Sequence, residues 1–188
     1  MKQLTFLGLI LLVILAVMPA CKQKAKAESP NAAQAAPTAQ SNNEKHLLLP
    51  QDIASVTASV DTQEYPLANI NDGRQTTVWV ASGKPSGIGD WVEFTFNGTK
   101  DIQDLVITPG FDMVQKGADL FTANNSLKRA VLTFADGSTQ TVEFTGDERR
   151  CVLPVFKQTS SVRLTISEVF PGTKWKDTCI GEMSFNVK

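Results

Sequence analysis

From about Leu47 onward, apolar residues alternate with polar residues instead of recurring every three or four positions. Near the C-terminus, Val162 and Leu164 alternate with Arg163 and Thr165. A period of two with one apolar face is typical of a half-buried β-strand. The same pattern predicts eight strands, at residues 55–61, 91–97, 102–108, 128–134, 139–144, 151–156, 161–168 and 180–187.

Turn residues separate these predicted strands. Asp136-Gly137 lies between two apolar segments and predicts a β-hairpin, because Asp-Gly supplies the positive φ angles of a tight turn. Long segments with helical periodicity and internal repeats are both absent from the sequence. About eight antiparallel strands with frequent turns predict an all-β fold, a β-sandwich or jelly roll, over residues 47–188.

The first twenty residues have the pattern of an export signal. Lys2 precedes a 13-residue apolar run from Phe6 to Met18, whereas a transmembrane helix needs roughly 20 residues. We therefore predict a signal peptide at residues 1–20. Residues 22–45 contain no large apolar side chain, and a segment that cannot bury a core stays disordered. Residues 21–46 are accordingly predicted to form a disordered linker.

Cys21 directly follows the apolar run, in the sequence Met18-Pro19-Ala20-Cys21. This sequence resembles the lipobox of bacterial lipoproteins, although its first two positions differ from the usual pattern. The resemblance implies that Cys21 carries the lipid that holds an exported domain to a membrane of the cell envelope. Because Lys22 and not an acidic residue follows the cysteine, the resemblance implies the outer membrane if the cell is Gram-negative. Ordinary secretion with a free Cys21 is the alternative.

The charges of residues 47–188 exclude several functions. This region carries 13 basic and 17 acidic residues, a net charge of −4, so we expect no nucleic-acid binding. The single histidine, His46, lies outside the patterned segments, which makes His metal sites and Ser-His or Cys-His pairs hard to build. Nucleophile-elbow and phosphate-loop motifs are absent. A glycosidase-like carboxylate pair could be assembled, but we expect the protein not to be an enzyme.

Cys151 and Cys179 are the two cysteines of the region predicted to fold. Export permits oxidation, and a bridge would contribute roughly 3 to 4 kcal/mol. A bridge also requires that the two Cα atoms lie within about 7 Å. The sequence leaves a disulfide and two buried free thiols as open alternatives.

Three stretches, taken in order, resemble a known family. They are ANINDGRQTTVW at 68–79, GIGDWVEF at 87–94 and DTCIGEM at 177–183. Together they resemble the discoidin or factor V/VIII C-type domain, a galactose-binding-like jelly roll. Segments 87–91, 121–125 and 171–179 are most similar to the variant attached to streptococcal NAD-glycohydrolase, where it serves as a glycan-binding translocation domain. NAD cleavage is not implied, since that chemistry belongs to a different domain.

The resemblance implies a structural Ca²⁺ at the first stretch, as many relatives hold one there. Ca²⁺ takes six to eight hard oxygens. The family pattern maps its ligands to the Asp72 carboxylate, the main-chain oxygens of Asn69 and Arg74, Thr77, and Glu182. The alternative is that Asp72-Gly73 is only a turn and that Glu182 pins the last strand by hydrogen bonds.

Discoidin relatives bind ligands with loops at one end of the sandwich, and two loops here are rich in aromatic and amide groups. Residues 109–126 are long for a plain connection, and residues 171–177 form the second loop. Aromatic faces stack on sugars, and amide, carboxylate and basic groups bind their hydroxyls. The predicted ligand-binding residues are Phe111, Asn124, Asn125, Lys174, Trp175 and Asp177.

Four of these six residues also have a structural alternative. The two asparagines could turn or cap the backbone, Phe111 could pack inward and Trp175 could be structural. Trp79 and Trp91 lie inside the family motifs and are predicted to be structural.

The sequence thus predicts an exported, membrane-anchored module that binds a carbohydrate or another surface polymer without catalysis. The runner-up is an envelope structural or protein-interaction module that has lost its sugar site. The sequence leaves the ligand and the oligomeric state open.

Overall fold

The computed structural model describes residues 44–188. The predicted signal peptide, Cys21 and the linker up to residue 43 lie outside the described residues. In residues 44–188, none of the helices has the length and apolar character needed to cross a membrane. The first strand begins at His46, whose ladder partner is Val187. Before it, Lys45 forms an ion pair with Asp104 at 2.9 Å.

Eleven strands and four short helical turns make up the described residues. The strands are β1 (His46–Leu47), β2 (Ile53–Ala58), β3 (Trp79–Ala81), β4 (Trp91–Ile107), β5 (Val114–Gln115), β6 (Ala118–Asp119), β7 (Ser126–Phe134), β8 (Thr139–Glu143), β9 (Cys151–Phe170), β10 (Thr178–Ile180) and β11 (Met183–Val187). One α-helical turn, α1, spans Leu120–Ala123, and 3₁₀ turns span Pro50–Asp52, Leu67–Asn71 and Pro85–Gly87.

Two long antiparallel strands, β4 and β9, run through both layers of the fold. The first half of β4 pairs with β2, and its second half pairs with β11, which carries β1. The second half of β9 pairs with β7, which carries β8. The β4–β9 register shifts between Thr95 and Lys100, where Gly98 has a φ of +80°. One layer is therefore β1-β11-β4-β9, and the other is β2-β4-β9-β7-β8.

The apolar core lies between these two layers. Phe185 of β11 packs edge-on against Phe94 and Phe96 of β4, with ring centroids 5.4 Å apart in both pairs. Leu132 of β7 and Leu164 of β9, which lie in the layer facing Phe185, belong to the same buried cluster. The predicted all-β sandwich is thus confirmed.

The strand boundaries differ from the prediction where local patterning is misleading. The predicted strands 91–97 and 102–108 join into the single strand β4, which ends at Ile107, because the chain stays extended through the bend. In the same way, the predicted strands 151–156 and 161–168 both belong to β9. The strand β3 escaped prediction because all three of its residues are buried and nothing alternates.

The hairpin predicted at Asp136-Gly137 is present, with Thr133 opposite Thr139. Only Gly137 has a positive φ, however, at +79°. The Asp136 carboxylate instead accepts a hydrogen bond from the Ser138 amide at 3.0 Å. The turn therefore depends on one left-handed residue and not on two.

In the structure, Cys151 and Cys179 are free thiols and do not form a disulfide. Cys151 is buried in the main core, and Cys179 is buried in a separate small cluster with Val78 and Val80. Burial raises the pKa of Cys151 to about 11 and that of Cys179 to about 12. Both side chains are therefore neutral thiols at physiological pH.

Candidate functional site

A cavity of about 190 Å³ lies between the loop after β4 and the loop after β9. We call it the interloop cavity. It is lined by Tyr65, Val80, Phe111, Gln115, Leu120, Asn124, Trp175, Asp177 and Cys179. The two loops are those that the sequence predicted to bind a ligand.

The loop after β4 forms one wall through a small hairpin and a helical turn. Strands β5 and β6 pair across Lys116 and Gly117, which have φ angles of 50° and 78°, as a two-residue turn with two positive φ angles requires. Asp119 caps α1 by accepting a hydrogen bond from the Phe121 amide at 3.2 Å. This turn places Leu120 and Asn124 at the cavity.

The loop after β9 forms the opposite wall and is bonded to α1 through its backbone. The amides of Lys174 and Trp175 donate to the Ala123 carbonyl at 3.0 and 2.8 Å. Gly172 allows this approach, because a Cβ at that position would lie 2.4 Å from the carbonyl carbon of Asn124. A side chain there would force the two walls apart.

Asn125 holds this second loop and does not line the cavity. Its side chain is 1% exposed. Its Nδ2 donates to the Lys176 carbonyl at 2.7 Å, and its Oδ1 accepts from the Gly172 amide at 2.7 Å. Both ends of the amide therefore bond the main chain, which corrects the predicted ligand contact: the side chain is buried in the wall and does not line the cavity.

Asn124, one residue earlier, does line the cavity. Its Nδ2 donates to the Leu120 carbonyl at 2.9 Å and so closes the end of α1. Within residues 44–188, its Oδ1 has no hydrogen-bond partner. Asn124 thus combines the predicted structural role with a free acceptor oxygen on a residue that lines the cavity.

Aromatic rings and one carboxylate give the interloop cavity its character. Trp175 is 37% exposed, and the Lys174 ammonium lies 4.3 Å from its ring centroid. Phe111 packs on the Val78–Val80–Cys179 cluster. Burial, and then Glu64, raise the pKa of the Tyr65 phenol, which stays protonated. The Asp177 carboxylate has no hydrogen-bond partner among the described residues, so it can accept bonds from a ligand.

The structure therefore brings four of the six predicted ligand residues to one cavity: Phe111, Asn124, Trp175 and Asp177. Lys174 lies beside them on Trp175, and Asn125 is behind the wall. Tyr65 and Gln115 line the cavity without having been predicted. Tyr65 is the only tyrosine of the chain, and it lies just before the first family stretch. That position is the one feature of the sequence that could have pointed to it.

A second cluster of oxygen atoms contains four of the five predicted metal ligands. The Arg74 amide donates to both Asp72 Oδ1 and Glu182 Oε1, at 2.9 Å each. Thr77 Oγ1 lies 3.0 Å from both Asp72 carboxylate oxygens and from the Arg74 carbonyl oxygen. Asn69 lies nearby in sequence, and its side chain donates to the Val78 carbonyl at 2.9 Å.

The two carboxylates of this cluster influence each other. Burial raises the pKa of Glu182 to about 7, and the neighbouring Asp72 contributes in the same direction. Burial would also raise the pKa of Asp72, but hydrogen bonds from Arg74, Glu182 and Thr77 hold it below its usual value. Within residues 44–188, no three or more Asp, Glu, His or Cys side chains come together in a group that could hold a metal. This cluster has two carboxylates, and its other oxygens are the neutral Thr77 hydroxyl and the Arg74 carbonyl.

The other two tryptophans lie outside the cavity. Trp79 is fully buried, and its Nε1 donates to the Val60 carbonyl at 2.9 Å. Trp91 lies on the outer side of the sheet, where the Arg163 guanidinium stacks on its ring at 4.2 Å. These contacts agree with the structural roles predicted for both.

A family model described as the NAD glycohydrolase translocation F5/8 type C domain matches residues 45–186. No curated protein sequence matches the chain significantly.

Solved structures with the same fold include two nearly complete modules. The family 32 CBM of Clostridium perfringens NanJ, in complex with galactose, has a TM-score of 0.55 at 13% identity and covers 76% of this chain and 99% of that one. The CBM32 of AlyQ, in complex with 4,5-unsaturated mannuronic acid, has a TM-score of 0.51 at 16% identity and covers 71% and 95%.

A larger protein also contains the fold. The arabinofuranosyltransferase AftD from Mycobacteria has a TM-score of 0.54 at 17% identity, over 73% of this chain. This chain spans only 11% of that enzyme's length. At such identities the three similarities establish a shared fold.

Proposed function

Because the chain belongs to the NAD glycohydrolase translocation F5/8 type C domain family, we propose that it is a glycan-binding module that holds its ligand in the interloop cavity. The similarity in fold to carbohydrate-binding modules solved with galactose and with an unsaturated mannuronic acid supports this proposal. These two sugars differ in charge, so the fold leaves the identity of the sugar to the residues of the cavity.

The observation that carries the proposal is the composition of the cavity. Trp175 and Phe111 offer aromatic surface, and Asp177 and Asn124 offer acceptor oxygens without partners in the described residues. A sugar ring presents both C–H faces and hydroxyl groups, which match aromatic rings and acceptors respectively. A small number of polar groups in a partly apolar recess is the usual form of a small-ligand site.

We propose binding without catalysis. Glycoside hydrolysis ordinarily uses a pair of carboxyl groups on either side of the scissile bond. Asp177 is the one carboxylate among the described residues that line the cavity. The single histidine, His46, belongs to β1 and does not line it. The cavity therefore has groups for recognition and lacks the second carboxyl group that the hydrolytic mechanism needs.

We further propose that the Asp72–Glu182 cluster binds a structural Ca²⁺. The Asp72 and Glu182 carboxylates, the Thr77 hydroxyl and the main-chain oxygens of Asn69 and Arg74 would hold it. The fit is supported by two carboxylates that converge on one amide and by the raised pKa of Glu182, since a cation would offset their repulsion. The ion would join the loop before β3 to the start of the last strand.

Export and a lipid anchor at Cys21 complete the proposal. Their support is the apolar run and the sequence Met18-Pro19-Ala20-Cys21, which lie outside the described residues. Labelled fatty acid should be incorporated into the full chain and not into a Cys21→Ser variant. Equal labelling, or none in either protein, would contradict the anchor.

A glycan array tests the proposed function directly. The wild-type protein should bind at least one glycan, and Trp175→Ala should abolish this binding. Trp91→Ala is the matched control, because it also removes a partly exposed indole but one outside the cavity, and it should bind as the wild type does. Silence of the wild type across the array would contradict the proposal and favour a protein-interaction module.

A further inference from the structure

Arg149 joins the two ends of the segment that forms one wall of the interloop cavity. It lies in the irregular segment between β8 and β9 and does not line the cavity itself. Its Nη1 donates to Asp112 Oδ1 at 2.8 Å and to Asp119 Oδ1 at 3.0 Å, and its Nη2 donates to Asp119 Oδ2 at 2.8 Å. The Asp119 contact is a two-pronged guanidinium–carboxylate pair, the strongest geometry for such a bond.

The two carboxylates flank the β5–β6 hairpin. Asp112 precedes it and directly follows Phe111, while Asp119 ends it and directly precedes Leu120. Phe111 and Leu120 both line the cavity, and so does Gln115 inside the hairpin. One guanidinium therefore bonds both ends of the segment whose side chains form the wall.

Two further contacts connect Arg149 to the segment 111–124, which forms this wall of the cavity. The guanidinium lies 4.9 Å from the centroid of the ring of Phe121, a buried residue of α1. Asp119 also caps α1, so the same carboxylate that Arg149 holds orients the helical turn carrying Asn124. A change at Arg149 would thus reach the wall through the hairpin base, through the cap and through the Phe121 ring.

We infer that Arg149 is a positioning residue of the glycan site: it holds the 111–124 wall in the conformation that binds, without touching the ligand. The inference rests on the proposed function for its consequence in binding. Arg149→Met should weaken glycan binding about tenfold, because a wall that is competent for only part of the time lowers the apparent affinity by that fraction. Arg149→Lys keeps the charge but loses the two-pronged pair, so its glycan affinity should lie between that of the wild type and that of Arg149→Met.

Arg163 provides a matched control. Its guanidinium also stacks on an aromatic ring, Trp91 at 4.2 Å, and bonds one carboxylate, Glu93, at 2.6 and 3.0 Å. The two arginine side chains are similarly exposed, at 39% and 43%. Arg163→Met should therefore also lower the melting temperature, because it too loses carboxylate bonds and a stacked ring, while it leaves glycan affinity unchanged.

Hydrogen exchange in the unliganded full chain separates this inference from the proposed function. The Leu120 amide donates to the Met113 carbonyl at 2.8 Å and the Asn124 amide to the Leu120 carbonyl at 3.1 Å. Both amides should exchange faster in Arg149→Met than in Arg163→Met, with amides of the core strands distant from both substitutions, such as Phe185 of β11, unchanged. Equal exchange in the two variants, or faster exchange throughout Arg149→Met, would overturn the positioning role. A wild type that binds no glycan would contradict the proposed function and leave the exchange result to decide the role of Arg149.

Discussion

Replacing Asn125 by alanine tests whether its amide is a structural group or a ligand contact. The substitution removes two 2.7 Å hydrogen bonds and leaves the Lys176 carbonyl and the buried Gly172 amide without these partners. A buried polar group left unpaired costs about 1–3 kcal/mol, so we expect Asn125→Ala to lower the free energy of unfolding by about 3 kcal/mol. For a domain of this size, that corresponds to a fall of roughly 10 °C in melting temperature.

Asn97→Ala is the matched control for this prediction. The Asn97 Nδ2 also donates to a carbonyl, that of Gln51, at 2.7 Å, but on an exposed part of the surface. Water can replace that bond, so its loss should change the free energy of unfolding by less than about 0.5 kcal/mol. Thermal unfolding monitored by circular dichroism measures both variants.

The reasoning would be refuted if the two variants melted within about 2 °C of each other. A second refuting pattern would be an Asn125→Ala variant that keeps the wild-type melting temperature but no longer binds sugar. That outcome would return Asn125 to the ligand-binding role predicted from the sequence and would require the loop after β9 to be held by other bonds.

Three other predictions concern the metal, acid and thiols. Ca²⁺ should raise the melting temperature relative to a chelator, and Glu182→Gln should remove this difference; equal melting of the wild type in both conditions would count against the metal. Burial would raise the pKa of Asp104, but hydrogen bonds from Asn186 and Lys45 lower it, so stability present above pH about 4 should be lost as pH falls further. The wild type should show a steeper loss than Asp104→Asn, and identical acid profiles would exclude this contribution. Iodoacetamide should label Cys151 and Cys179 only after unfolding, as peptide mapping would show, whereas a mapped Cys151–Cys179 disulfide would refute free thiols.

The sequence predicted most of the sandwich because its strands have one buried face, which leaves a period of two in residues such as Val162 and Leu164. The rule failed where both faces are buried: Trp79–Ala81 has no polar position to alternate with. The prediction also split β4 into two strands at Asn97-Gly98, because a glycine next to an asparagine has the composition of a turn. The structure keeps the strand continuous and uses Gly98 to bend it.

The candidate site was predictable as loops but not as individual side chains. Asn124 and Asn125 are identical neighbours in sequence, and only the end of α1 directs one towards the cavity and the other into the wall. Tyr65 reaches the cavity from a segment distant in sequence, and no local pattern reports such a contact. The family resemblance indicated which loops to consider. The resemblance itself is confirmed by the family model that matches residues 45–186.

The central claim is that ligand binds between the two loops, and the three indole N–H groups test it most directly. In a ¹⁵N NMR titration with a glycan identified on the array, the Trp175 indole signal should shift. The Trp79 signal, from a buried indole bonded to Val60, and the Trp91 signal, from a ring covered by Arg163, should stay in place. A glycan that shifts Trp91 or Trp79 and leaves Trp175 unmoved would contradict the account.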